Sequence, residues 1–397
     1  MVKGNFHFTQ LKKAYIFPII EKKLAELKTA NPHAEIINMG IGDIALPLAP
    51  SIARAISLAA EEMTNPKNLY GYGPSEGYPF LQEAIVKDAY RGLPITPEEI
   101  FISDGINTDI VNILDLFDSS CSVAIPDPAY PAYLDSNLIA GRKKKIGKMP
   151  CKEETGFVPN VPSTAYDIIY LCSPHNPTGA SMTRERLTDF VNYAIKHKAI
   201  LLFDGAYEAF ITSPNSPKSI YEIPGAETVA LEFRSFSKSA GFTGLRCSYL
   251  VLPKKVEMQI GKKAISLHGL WKTRQSIKFN GLSYPIQRGA AACFSTQGKK
   301  ETQEQVIFYL EQARLLKEGL KKAGHLCFGG VDSPYIWWQT PKGLSSWEFF
   351  DYLLTKCQLI AIPGSGFGEH GEGYIRLSAF STKEKTQKAL ERIKTLV

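Results

Sequence analysis

Between about residues 50 and 280, short runs of apolar and β-branched residues alternate with longer stretches whose apolar positions recur every three or four residues. The short runs lie at 100–103, 122–126, 167–172, 199–204, 229–235 and 248–252, and each predicts a strand. Helical spacing marks 79–91, 107–117, 183–197 and 255–268. Strands alternating with helices of this length imply crossover units and a mostly parallel sheet covered on both faces. Beyond residue 285 the pattern changes to helices at 285–294 and 301–323, strands at 336–340 and 374–380, a helix at 346–356 and a terminal helix. At the start, 10–29 predicts an amphipathic helix interrupted near Pro18, followed by a strand at 36–39 that ends in Gly40-Ile41-Gly42. The expected fold class is α/β, with a mostly parallel central sheet in a large domain plus a smaller α+β domain. We place an arm and part of the small domain at 1–48, the large domain at 49–284 and the rest of the small domain at 285–397.

The 397 residues are 44% hydrophobic and 21% charged, which excludes a disordered or fibrous chain. No stretch approaches the roughly 20 apolar residues that span a bilayer, so no membrane partner is expected. The 46 Lys and Arg outnumber the 39 Asp and Glu by too little to argue for nucleic acid. The basic run Arg142-Lys143-Lys144-Lys145 sits on a strand-like segment without interleaved aromatic residues and is expected to be a solvated edge. Seven scattered cysteines without close pairs argue against disulfides or zinc and for a reducing cytoplasm. The histidines share no ligand spacing, and no metal is assigned. A dinucleotide-binding dehydrogenase needs G-x-G-x-x-G opening the first crossover helix; Gly71-Tyr72-Gly73 with Gly77 has the wrong spacing and context.

In open parallel sheets, ligands sit beyond the carboxyl ends of the strands. Four strand ends carry suitable chemistry. They are Asp104-Gly105-Ile106-Asn107 opening a helix, Asn176-Pro177-Thr178-Gly179, Asp204 followed by Tyr207, and Ser235-Phe236-Ser237-Lys238 followed by Gly241 and Arg246. Together with Arg376 in Gly373-Tyr374-Ile375-Arg376, these motifs resemble, in order and spacing, the class I/II aminotransferases of fold type I, which use pyridoxal 5'-phosphate. The resemblance covers nearly the whole chain. It implies that Lys238 carries the cofactor and shuttles a proton, that Asp204 pairs with the pyridine nitrogen, and that Asn176 and Tyr207 bond the cofactor's 3' oxygen. The resemblance further implies the following roles: Tyr130 stacks on the ring. Gly105, Ile106 and Asn107, with Ser235, Ser237 and Arg246, cradle the phosphate. Arg376 holds the substrate α-carboxylate with a planar fork, and Asn280 contacts the same group.

Further stretches are similar to the LL-diaminopimelate aminotransferase subgroup: Ala14-Tyr15-Ile16-Phe17-Pro18, Gly40-Ile41-Gly42-Asp43, Gly71-Tyr72-Gly73-Pro74-Ser75-Glu76-Gly77 and Phe279-Asn280-Gly281. That resemblance implies amino transfer between LL-2,6-diaminopimelate and 2-oxoglutarate. It also implies that Tyr15, Gly42 and Tyr72 line the distal pocket, with Tyr72 reaching from the second subunit of a homodimer to the cofactor phosphate. Glu76 is the candidate for the distal ammonium, although the subgroup's acidic residue can fall one position earlier, at Ser75. Ile44-Ala45-Leu46 departs from the more polar residues expected there. The alternatives are a broad-specificity aromatic or dicarboxylic aminotransferase, and a non-catalytic binding protein on the same scaffold.

Overall fold

The protein is described by a computed structural model covering residues 2–11 and 16–394. Seven strands build the central sheet: β1 (Ile100–Ser103), β2 (Val123–Asp127), β3 (Ile146–Pro150), β4 (Ile168–Cys172), β5 (Ile200–Asp204), β6 (Ala230–Ser235) and β7 (Ser248–Val251). Their spatial order is β1-β7-β6-β5-β4-β2-β3. Strands β2 to β6 are parallel, and β7 runs antiparallel between β6 and β1. Every strand but the edge strand β3 is buried along almost its whole length, as a sheet covered on both faces requires. Alternation along β5 shows the two layers. Leu201 and Phe203 pack with Leu187, Phe190 and Val191, whereas Ile200 and Leu202 pack with Ile110, Tyr133 and Trp271. Each such buried side chain contributes about 1.5–3 kcal/mol of transfer free energy.

A second core gathers Trp337, Trp338, Phe349, Phe350, Leu353, Ile375 and Leu377, and takes in Ile16, Ile20 and Ile37 from the amino-terminal segment. Its sheet is antiparallel and contains Cys327–Gly329, Tyr335–Gln339, Tyr374–Ser378 and Ile362–Pro363. The short strand Ile37–Asn38 runs parallel to Leu359–Ile360. Tyr284–Ala292 lies against Pro50–Glu62 and leaves Ala290 and Cys293 in the large core, so the chain passes between the two cores along the helix Thr296–Lys322.

Three local expectations are corrected. Residues 255–268 are not one helix: Glu257–Ile260 and Lys263–Ser266 form an antiparallel hairpin turning at Gly261-Lys262, and a helix starts only at Leu267. Pro18 does not interrupt its helix, which runs Ile16–Ala30. It occupies the first turn, where its missing N–H has no intrahelical partner to lose. Arg142 is not a solvated edge residue. It is buried, and its Nη2 donates to the Phe117 and Asp118 carbonyls at 2.5 and 3.1 Å, while Lys143–Lys145 remain exposed.

Candidate functional site

Strand β6 passes directly into the one-turn helix Phe236–Ser239, capped by the Ser235 hydroxyl, which accepts the Ser237 N–H at 3.0 Å. This turn fixes Lys238 at the strand's carboxyl end, half-buried, with Nζ 5.7 Å from the centre of the Phe380 ring. Burial pushes the Lys238 amine down to about 8; the charges of Arg376 and Arg246 push the same way and Asp43 opposes them.

At the end of β5, Asp204 is buried. Its Oδ2 accepts the Tyr133 hydroxyl at 2.5 Å, and its Oδ1 accepts the Ala206 N–H at 2.9 Å. Burial raises the Asp204 carboxyl above its ordinary value, and both hydrogen bonds oppose that by favouring the charge. Tyr207 follows, its hydroxyl 2.6 Å from that of Tyr335. Burial first, and Tyr335 second, hold the Tyr207 phenol well above the ordinary range.

Arg376 rises from the small-domain strand Tyr374–Ser378. Its Nη1 donates to Asn176 Oδ1 and its Nη2 to the Gly40 carbonyl, both at 2.7 Å. Two rings flank the guanidinium, its carbon 4.4 Å from the Tyr335 centre and 4.8 Å from that of Phe367. Its Nε is buried without a protein partner among the described residues, an open donor for an arriving anion. Gly42 lies against the Tyr335 hydroxyl, so the Gly40–Gly42 turn borders the same space.

Gly105 precedes the helix Ile106–Asn112 with φ +144°, and a Cβ there would run into the Arg246 guanidinium. Glycine is therefore required, and Arg246 lies over the helix start. Tyr130 donates from its hydroxyl to Asn107 Oδ1 at 3.2 Å, which ties the ring to the same turn. Beneath it, Asp109 accepts from Ser103 on β1 and, at 3.4 Å, from Ser248 on β7, and burial pushes its carboxyl up to about 7. A helix start with an arginine over it is chemistry that would suit an anion, and the buried Asp204 carboxylate would suit a protonated ring nitrogen. The donor set therefore fits pyridoxal phosphate.

Tyr72, Glu76 and Asn280 form a separate group. Tyr72 is 96% exposed, and Asn280 is exposed with φ +62°. Glu76 pairs with Lys272 Nζ at 2.6 Å and accepts the Ser75 hydroxyl at 2.8 Å. Gly281 packs on Pro74, which joins the 72–76 loop to the end of the helix Leu267–Lys278. Tyr15 lies outside the described residues. Sequence reasoning missed Tyr133, Tyr335 and Phe367. Tyr133 stands three residues after Tyr130, and Tyr335 shares a strand face with Trp337, whose cross-strand partner is Arg376. Those spacings were the available signals.

A family model described as aminotransferase class I and II matches residues 34–393. The LL-diaminopimelate aminotransferase structure from Chlamydomonas reinhardtii is 39% identical, with 100% of this chain and 98% of that chain covered and a TM-score of 0.94. A substrate-bound BacF structure from Bacillus subtilis is 27% identical, with 100% and 98% covered and a TM-score of 0.87. An aromatic aminotransferase from Pyrococcus horikoshii is 26% identical, with 94% and 98% covered and a TM-score of 0.82. With the family model running from residue 34 to 393 and a 39% identical structure covered end to end, this protein belongs to the class I and II aminotransferases, enzymes of fold type I that depend on pyridoxal phosphate.

Proposed function

We propose that the enzyme transfers an amino group between LL-2,6-diaminopimelate and 2-oxoglutarate, giving tetrahydrodipicolinate and glutamate for lysine and cell-wall precursor synthesis. In this reading it works in the cytoplasm as a homodimer with shared sites. One observation carries the substrate: identity to the algal LL-diaminopimelate enzyme is 39%, against 25–28% for BacF and the two Pyrococcus structures. The exposed Tyr72 and Asn280, joined to Glu76 through one loop and helix end, support a group offered to a partner's site.

Bound pyridoxal phosphate supplies an electron sink for the electrons left when the amino acid's Cα is deprotonated. The chain supplies the rest. Arg376 fixes the α-carboxylate with its planar fork, and the Tyr335 and Phe367 rings against it restrict the fork's orientation. Burial brings the Lys238 amine down to about 8, which favours the neutral form that accepts the Cα proton and returns it. Asp204, charged with the help of Tyr133 and Ala206, keeps the ring nitrogen protonated. The keto product of this substrate retains a distal amine and closes on itself.

The test is a visible-spectrum titration of the purified enzyme with single amino acids. Conversion by LL-diaminopimelate and glutamate, but not by lysine, aspartate or tyrosine, is expected. A response dominated by aspartate or tyrosine would replace this reading with the broad aromatic or dicarboxylic one. A specific feature favours that second reading: the apolar side chains of Ile44 and Leu48 lie against Gly241, close to the Lys238 turn.

A further inference from the structure

We propose that Asp127, Lys148 and the Glu369-His370 turn form an interdomain clasp that seats Phe367 on Arg376, which makes Asp127 a positioning residue for carboxylate binding. The inference rests on the reading of Arg376 as the carboxylate receptor.

Asp127 ends β2 of the large sheet and is only 2% exposed. Its Oδ2 takes Lys148 Nζ and His370 Nδ1, each at 3.2 Å, and its Oδ1 accepts the His370 backbone N–H at 3.4 Å. Lys148, on the neighbouring strand β3, reaches on to Glu369 Oε2 at 3.0 Å. Gly368 adopts φ +147° directly over Asp127 Oδ1, where any Cβ would collide with the carboxylate. One further tie completes the clasp: the Ala129 N–H donates to the Phe367 carbonyl at 2.9 Å.

The strap 367–370 belongs to the segment that carries the small-domain core, whereas Asp127 and Lys148 belong to the large sheet and Ala129 to the core packed on it. Every tie converges on the residues around Phe367, whose ring covers one face of Arg376 at 4.8 Å. A guanidinium held against two rings loses little orientational freedom when a carboxylate arrives, so its fork is pre-set. Release of the strap uncovers that face and leaves the Asn176 and Gly40 hydrogen bonds of Arg376 in place. The ties also flank Tyr130 through Ala129, so the clasp sets the distance between the carboxylate receptor and the aromatic ring beside the cofactor cradle.

The experiment compares Asp127→Asn, Gly368→Ala and Arg376→Lys as holoenzymes, with glutamate as amino donor. Asp127→Asn removes the charge without changing shape; Gly368→Ala pushes the strap off without removing any charge. Both should raise KM about tenfold with kcat within twofold and the cofactor retained through dialysis. In the apoenzymes of both, amide exchange at Ala129 and His370 should accelerate. If Arg376→Lys raises KM while both clasp variants keep parental KM and parental exchange, the clasp is wrong and the carboxylate reading stands. If the clasp variants lower kcat and KM together, or lose cofactor, Asp127 acts elsewhere and the inference fails. An Arg376→Lys enzyme with unchanged KM would remove the carboxylate reading itself.

Discussion

Tyr133→Phe deletes one oxygen and keeps the ring that stacks on Tyr170 with centres 4.9 Å apart. Asp204 Oδ2 then loses its donor at 2.5 Å, and the Ala206 N–H remains on the other oxygen. A hydrogen bond to a charged group is worth about 1.5–3 kcal/mol. Burial already holds the Asp204 carboxyl above its ordinary value, and the lost bond was opposing that, so the carboxyl moves further up. A carboxyl raised in the folded chain keeps a proton that the unfolded chain releases, so its contribution to stability falls as pH rises past the unfolded value. The penalty of the variant is therefore small in acid, grows as pH rises through the folded value and then levels off. The charge that pairs with the ring nitrogen becomes costlier by the same amount. Because about 1.4 kcal/mol is tenfold in affinity, pyridoxal phosphate should bind roughly ten- to a hundredfold more weakly. Fluorescence titration of the apoenzyme across a pH series, with denaturant unfolding in parallel, measures both effects. A folded variant that binds like the parent at every pH would refute the argument.

Modification of Lys238 in the apoenzyme by a small aldehyde and a reductant should accelerate with pH and reach half its maximum near 8. The lysine should contribute stability that increases as pH rises from there towards the unfolded lysine value, since the folded chain gives up its proton first. An inflection at the ordinary value of about 10.4 would contradict the burial argument. Gly105→Ala forces a Cβ into Arg246 at φ +144°, so apoenzyme affinity for pyridoxal phosphate should drop at least about tenfold, and a parental titration would dismiss the cradle. Lys238→Ala should abolish turnover. When it is co-expressed with Tyr72→Ala, mixed dimers should regain about a quarter of parental activity, because half the dimers carry one intact site. Activity no greater than that of the separate variants would argue against sharing.

The large sheet was legible because β1, β2, β4, β5, β6 and β7 are short apolar runs buried on both faces, a pattern that needs no knowledge of partners. The residues at their carboxyl ends could then be read in order, and the structure places Lys238, Asp204 and Gly105 at those ends. The hairpin Glu257–Ser266 escaped because it is largely exposed, and without a buried face its alternation carries no hydrophobic signal. Arg142 was misjudged because three lysines beside it suggested solvent, while the carbonyls that bury it come from Phe117 and Asp118, more than twenty residues earlier. Tyr133, Tyr335 and Phe367 act on Asp204, Tyr207 and Arg376 through contacts between segments far apart in the chain. Local periodicity marks such rings as core, and only the packed structure separates a ring that fills space from one that cages a charge.

The two cores divide the site. Asp204, Lys238, Gly105 and Arg246 belong to the large sheet and its loops, whereas Arg376, Tyr335 and Phe367 sit with the small-domain strands. In the proposed reading, hold on the coenzyme and hold on the α-carboxylate thus come from separate modules. Substitutions around 335–376 should then change the hold on all amino acids alike while coenzyme binding stays intact, and a laboratory lineage selected for a different acid should accumulate its changes near Gly42 and the 72–76 loop instead.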